Sequence, residues 1–320
     1  MEFAFTLLDA SQPLLVCFVI IIIGKRWRRQ TPLFFVSFWQ LLCRRISEKV
    51  LPDNVNSQQA VISGALALSI LSLPIIIILF ILYYFAQYKW AFDVLILFVA
   101  ADFAFVETIT SQSMVALKNN KKQLAKDQLQ KIVLRETKAL SELGLIKANV
   151  ETYALRYSYQ VVTVLFYYLL FGSVFALFYR LLYETALTNN IKLTRYRRYS
   201  LVNYTIVRLL VYLPVQLLNA TLLILYTIKA PKRAISVMRS KVFWALEGSS
   251  TFTTIGLIIN RKIGGPIMLD GVKKRRMRVG GNSEPKIVDF YLVKHAVLFA
   301  SLLFFGLVFA AKAVLQSITF

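Results

Sequence analysis

Lys273, Lys274, Arg275 and Arg276 form an unbroken run of cations in this chain of 320 residues. Ammonium and guanidinium groups donate to phosphate and carboxylate oxygens, so the run suits an anionic ligand or anionic lipid headgroups. It sits in KIGGPIMLDGVKKRRMRVGGNSEP, which has five glycines and few apolar residues. Such a stretch has too little apolar surface for a core and reads as a surface segment. Gly264, Gly265, Pro266, Gly271 and Gly280 are its turn positions and could shape a ligand turn. The cationic segment 272–278 points to one function class, action on an amphiphilic anionic substrate such as a nucleotide-linked lipid. Its plainer role is a solvated loop on anionic headgroups.

Other chemistries find little material. The two cysteines, Cys17 and Cys43, form no CxxC pair, and His295 is the one histidine. A multi-histidine metal site is thereby excluded, and no metal site is expected. Walker, dinucleotide-binding, HExxH and GxSxG motifs are absent from the sequence. Arg180 and Arg208 fall inside apolar runs, where a cation snorkels to the interface or pairs with an acid.

The elements that would position these groups belong to a membrane. Residues Ala60–Ala86 run 27 positions without a charge, and roughly 20 apolar residues span a bilayer core. A soluble helix has no reason to be apolar on every face for that length. The composition agrees, with 58% apolar residues and a mean hydropathy of +0.61. The net charge of +22 would suggest nucleic acid in a soluble protein. Here the charges lie between apolar segments, so membrane lipids with anionic headgroups are the expected partners, and nucleic acid is not. A membrane-protein partner is a further class that this composition allows.

Three regions follow. Residues 1–106 read as an N-terminal anchor, with spans near 3–23, 60–86 and 90–106 and a basic loop at 24–59. Within that loop, LFFVSFWQLLCRRISEKV is amphipathic and suits a helix lying in the interface. Asp93 and Asp102 qualify the 90–106 span and are expected to face a bundle interior. Residues 107–290 are cytoplasmic and interfacial, beginning with a helix and continuing with a second from about Ser141. Residues 291–320 hold the last transmembrane helix. Loops 24–59 and 107–160 are both net positive, and two spans with a short turn would return the chain between them. The positive-inside rule makes that side cytoplasmic, with most loops there, in a multi-pass protein of a bacterial inner membrane.

Residues 161–183 and 200–228 are long enough to cross. If they did, the positive loop 184–199 would lie outside. Gly172-Ser173 in the first and Arg208 and Pro214 in the second offer a re-entrant or interfacial hairpin instead. The expected fold is therefore all-α, with about four full transmembrane helices, or six if both runs cross, plus hairpins and cytoplasmic helices.

Three segments, IVLRETKALSELGLIKANVETYALRYSYQ, YTIVRLLVYLPVQLLNA and KIGGPIMLDGVKKRRMRVGGNSEPKIVDFYLVKHAV, in that order resemble the CobD/CbiB family of cobalamin-biosynthesis membrane proteins. The first and the apolar pair after it are similar to the family's ESxAEN region and the YKAxNTxDSM that follows. The second resembles RLDDLLNWIPARLTA, and the third resembles LGGPxxYxGxxxxKPxxGDxxxxPxxxDIxxA. The likeness covers about residues 115–300. It implies an ATP-dependent amide ligase joining a corrinoid propionate to aminopropanol or its phosphate, with Mg2+ held by carboxylates.

Carried over residue by residue, the acids thin out. Glu151 is kept, but Leu155 and Arg156 replace an acid and an amide. Tyr183 and Ala186 stand for the asparagine and aspartate of NTxDSM, with Glu184 a substitute acid and Arg180 at the lysine position. Val207 and Arg208 replace two further acids, and Glu247 lies near an asparagine of a missing PNAGWPE signature. Glu151, Arg180, Glu184 and Glu247 are the candidate catalytic residues, with Glu136 a further acid that a metal site would need. The turn residues of the glycine-rich segment survive. A kept scaffold with lost acids is similar to the AmpE branch, inner-membrane modulators associated with beta-lactamase induction and cell-wall recycling. That resemblance implies a regulatory or accessory protein without synthase activity and with no cofactor. ATP and Mg2+ enter only if a divergent synthase is the right reading.

Overall fold

The computed structural model describes residues 16, 19–20, 29–51, 56–227, 230–244 and 248–318. The first expected span, 3–23, lies almost wholly outside these residues. Eleven α-helices and a small β-ribbon make up the described chain, which is thus an all-α membrane protein. They are α1 Phe34–Val50, α2 Ser57–Phe85, α3 Lys89–Ala100, α4 Ala104–Lys118, α5 Lys122–Gln130 and α6 Glu142–Tyr157. A π turn, Ser158–Val162, leads into α7 Thr163–Thr188, followed by α8 Leu201–Thr227, α9 Pro231–Arg239, α10 Ser249–Ile259 and α11 Ile287–Ile318. Among the described residues, four stretches are long and apolar enough to cross a membrane: Ser57–Phe85, the joined run Glu142–Thr188, Leu201–Thr227 and Ile287–Val308.

The chain divides into two compact units. One comprises residues 31–102 and 159–212. In it, α2 turns Ala60, Gly64 and Ala67 inward and leaves Ile62, Leu66, Ile70, Ile77 and Phe80 exposed, the pattern of a helix against lipid. Gly64 is needed for close approach, since a Cβ there would meet the Tyr199 carbonyl oxygen at 1.9 Å. α1 buries Val36, Trp39, Cys43 and Ser47, one face at three- and four-residue spacing, and packs it on α7. The expected amphipathic helix therefore exists, with its inner face held by protein.

α7 is not one straight span. Gly172 has φ 83° and ψ 179°, a region essentially reserved for glycine, and the helix breaks there. The Tyr159 and Tyr183 ring centroids are 5.8 Å apart, and those of Tyr167 and Phe175 are 5.3 Å apart. Each pair is centred on Phe171. In a straight helix the first pair would be separated by about 36 Å. Residues 159–171 and 173–188 are therefore the two legs of a helical hairpin, as expected from Gly172-Ser173. Asp93 on α3 accepts a hydrogen bond from the Ser173 hydroxyl at the tip, so this acid does face inward.

Two expectations need correction. The span at 90–106 is α3, which ends at Ala100 after 12 residues, about 18 Å of helix against a hydrocarbon core of roughly 30 Å. The chain then turns through Ala101–Phe103. Residues 201–227 form one continuous helix rather than a hairpin. Pro214 removes the donor that would reach the Leu210 carbonyl, and the Tyr167 hydroxyl donates to that oxygen instead, at 2.8 Å.

The other unit comprises residues 1–30, 103–158 and 213–320. The expected long helix after 107 is broken at Asn119-Asn120, where Asn120 takes φ 58°, giving α4 and α5. α6 starts where expected, capped by the Ser141 hydroxyl accepting from the Gly144 N–H at 3.1 Å. Residues 262–280 fold as a nested antiparallel ribbon. β1 Lys262–Gly264 pairs with β4 Arg278–Gly280, and inside them β2 Ile267–Leu269 pairs with β3 Val272–Lys274. Asp270 (φ 50°) and Gly271 (φ 70°) make the two-residue turn at its tip, as an Asp-Gly hairpin requires. The ribbon's base packs on α10, where Gly256 and Gly280 approach so closely that a Cβ on Gly256 would sit 2.8 Å from the Gly280 Cα.

Candidate functional site

α6 places Glu151 at the centre of the second unit, with 1% of its surface exposed. An isolated buried carboxylate is strongly disfavoured, so its partners decide its role. Arg135 and Arg276 each bring a guanidinium Nη2 to 2.6 Å from Oε2. The Gly264 N–H donates to Oε1 at 2.9 Å. Arg276 also stacks over Phe252 on α10, 4.9 Å from the ring centroid. Glu151, Gly264 and Arg276, all singled out from sequence, therefore meet at one point, and Arg135 completes it.

The ribbon is fastened at further points. Glu136 accepts from the Gly271 N–H at 2.8 Å, and the Glu136 N–H donates to the Met268 carbonyl at 3.2 Å. Past the ribbon, Lys147 pairs with Glu284 at 2.5 Å, and this hydrogen bond holds the Glu284 carboxyl below the usual range. Lys273, Lys274 and Arg275 stay exposed. The cationic run thus splits, three cations outward and Arg276 turned in on Glu151. Gly265 (φ 113°), between β1 and β2, and Gly280 (φ 101°), the last residue of β4, take backbone conformations that favour glycine. Pro266 is exposed between β1 and β2.

Arg180 and Glu184 form a separate pair in the first unit, at 2.9 Å and one helical turn apart, both buried. The Gln40 amide donates to the other Glu184 oxygen at 2.8 Å, and Arg180 Nη2 reaches the Asp102 carbonyl at 3.3 Å. One turn on, Trp39 Nε1 donates to the Leu181 carbonyl and Thr185 hydroxyl, each at 3.1 Å. Among the described residues, Nε and Nη1 of Arg180 and Nε of Arg208 have no hydrogen-bond partner. Burial pushes the Cys43 thiol up to about 11. Glu247 lies outside the described residues.

Among the described residues, the Glu151 and Glu184 donor sets do not fit a Mg2+ and nucleotide site. A catalytic Mg2+ uses one or two free carboxylates beside substrate phosphates. Glu151 is held by two cations and a backbone donor and Glu184 by Arg180 and Gln40, while Glu136 spends Oε1 on the Gly271 N–H. Among the described residues, no three His, Cys, Asp or Glu side chains form a group that could hold a metal ion.

The fold and its polar centres define a polytopic helical membrane protein whose acids tie structural segments together. The chain belongs to the CobD/Cbib protein family, which matches residues 14–242. The match takes in most of the region read as a separate anchor and ends before the ribbon. No curated protein and no solved structure matches the chain.

Proposed function

We propose that this chain is an AmpE-like regulatory or accessory protein on a CobD/CbiB scaffold, without synthase activity. One observation carries the reading: Glu151, the acid kept from the family's motif, is neutralised by Arg135 and Arg276 and used to hold the ribbon. A carboxylate in that position supports structure and has little capacity left for a metal. The work assigned to it is signalling linked to beta-lactamase induction or cell-wall recycling, from a bacterial inner membrane with most loops cytoplasmic. The exposed Lys273, Lys274 and Arg275 suit anionic groups at that surface.

Family membership itself favours a second reading, a divergent adenosylcobinamide-phosphate synthase requiring ATP and Mg2+. Expression in a strain lacking its own synthase separates the two. The proposal expects no cobalamin-dependent growth and expects altered beta-lactamase induction when the protein's own gene is deleted. Restored growth, or cobinamide amidation by the purified protein, overturns it.

A further inference from the structure

We infer that α9, together with Trp244, is an interfacial anchor that seats on anionic lipid headgroups at the end of the α8 span. The position follows from chain geometry. The Ala230 N–H closes the last turn after α8 by donating to the Tyr226 carbonyl at 2.9 Å, and the Ala230 carbonyl accepts from Ala234 at 3.1 Å in the first turn of α9. From Thr227 to Pro231 the chain reaches at most about 14 Å. α9 therefore begins at the mouth of a membrane span.

Its faces are of two kinds. Ala234 is fully buried and packs with Leu223, Phe243 and Leu257. That contact fixes which side of α9 meets the protein. Ile235 (47% exposed), Met238 (48%) and Trp244 (56%) are left uncovered. The Trp244 indole N–H donates to the Met238 carbonyl at 2.9 Å, which holds the ring against the end of the helix. Lys232, Arg233, Arg239 and Lys241 are exposed around these apolar groups. No acid occurs between residues 228 and 244. A short amphipathic helix with cations, an interfacial tryptophan and exposed aliphatics matches the chemistry of an anionic bilayer surface. The charge chooses the occupant: a neutral apolar partner leaves four cations unanswered, whereas acidic headgroups answer them.

The test uses the full chain in nanodiscs, with a nitroxide at Met238→Cys in a Cys17→Ser background; Cys43 is buried and stays. Discs of phosphatidylcholine alone are compared with discs containing one-third phosphatidylglycerol. The expected result in the anionic discs is more collision with oxygen than with a water-soluble nickel chelate. The K232Q/R233Q/R239Q/K241Q variant shifts that balance toward nickel, and high salt on the chain with all four cations does the same. Nickel-dominated collision in anionic discs overturns the inference. So does equal depth in both lipid compositions, or dipolar broadening that reveals a second copy of the chain on this face.

Discussion

Glu151→Gln tests the centre of the structure. The substitution keeps shape and removes the charge, leaving the Arg135 and Arg276 guanidiniums facing a neutral amide. Removing one partner of a buried ion pair costs about 3–5 kcal/mol. Arg135 and Arg276 side chains are 13% and 26% exposed, so water screens part of the loss. A cost of about 3 kcal/mol is expected, near the lower end of that range. At ~1.4 kcal/mol per factor of ten, β1–β4 opens roughly a hundredfold more often. Hydrogen exchange at the β1–β4 amides reads this directly, with thermal unfolding in detergent as a second measure. Arg276→Met leaves Glu151 with Arg135 and Gly264 and costs about 1.5–2 kcal/mol, less than Glu151→Gln. Exchange accelerated less than threefold by Glu151→Gln, or a larger effect from Arg276→Met, refutes the clamp.

Gly172→Ala strains the hairpin tip without a clash, because a Cβ there meets nothing within 4 Å; a loss of about 1–3 kcal/mol in thermal stability is expected. Tyr167→Phe strips the Leu210 carbonyl of its donor and costs about 1 kcal/mol. In a Pro214→Ala background the helix supplies its own donor, so a double-mutant cycle finds that cost largely gone. Cys43 is held as the neutral thiol, with about one part in a thousand thiolate at pH 8. In a Cys17→Ser background, maleimide labelling at that pH is slow in the folded chain and becomes fast on denaturation; equal rates contradict the burial.

The parts of the fold that were legible have local causes. Residues 60–86 are apolar on every side, and Gly172-Ser173 marks its own break. Residues 90–106 look like one apolar run because the turn at Ala101–Phe103 has no composition of its own. Its Asp102 carbonyl is held by Arg180, 78 positions away. The ribbon did leave a signal, Asp270-Gly271, but strands of three residues are too short to show alternation. For the site, resemblance pointed to Glu151, and surviving glycines pointed to turns in the segment that forms the ribbon. Nothing local joins them to Arg135. Convergence of two arginines on one acid is decided by tertiary packing, which spacing along the chain does not record.

The clamp also sets an order of events during synthesis. Glu151 meets Gly264 and Arg276 across 113 and 125 residues of chain. A nascent chain that has emerged only as far as α8 carries a carboxylate with Arg135 as its one charged clamp partner. The acid must stay hydrated, and α6 loosely seated, until the ribbon arrives. Closing so long a loop favours slow, late consolidation. The β1–β4 ribbon is thus the element whose arrival completes the Glu151 clamp, while α11, which meets α6 through Tyr153–Phe290 and Tyr157–Ser301, follows it; a ribosome stalled between residues 200 and 260 should display α6 as protease-sensitive.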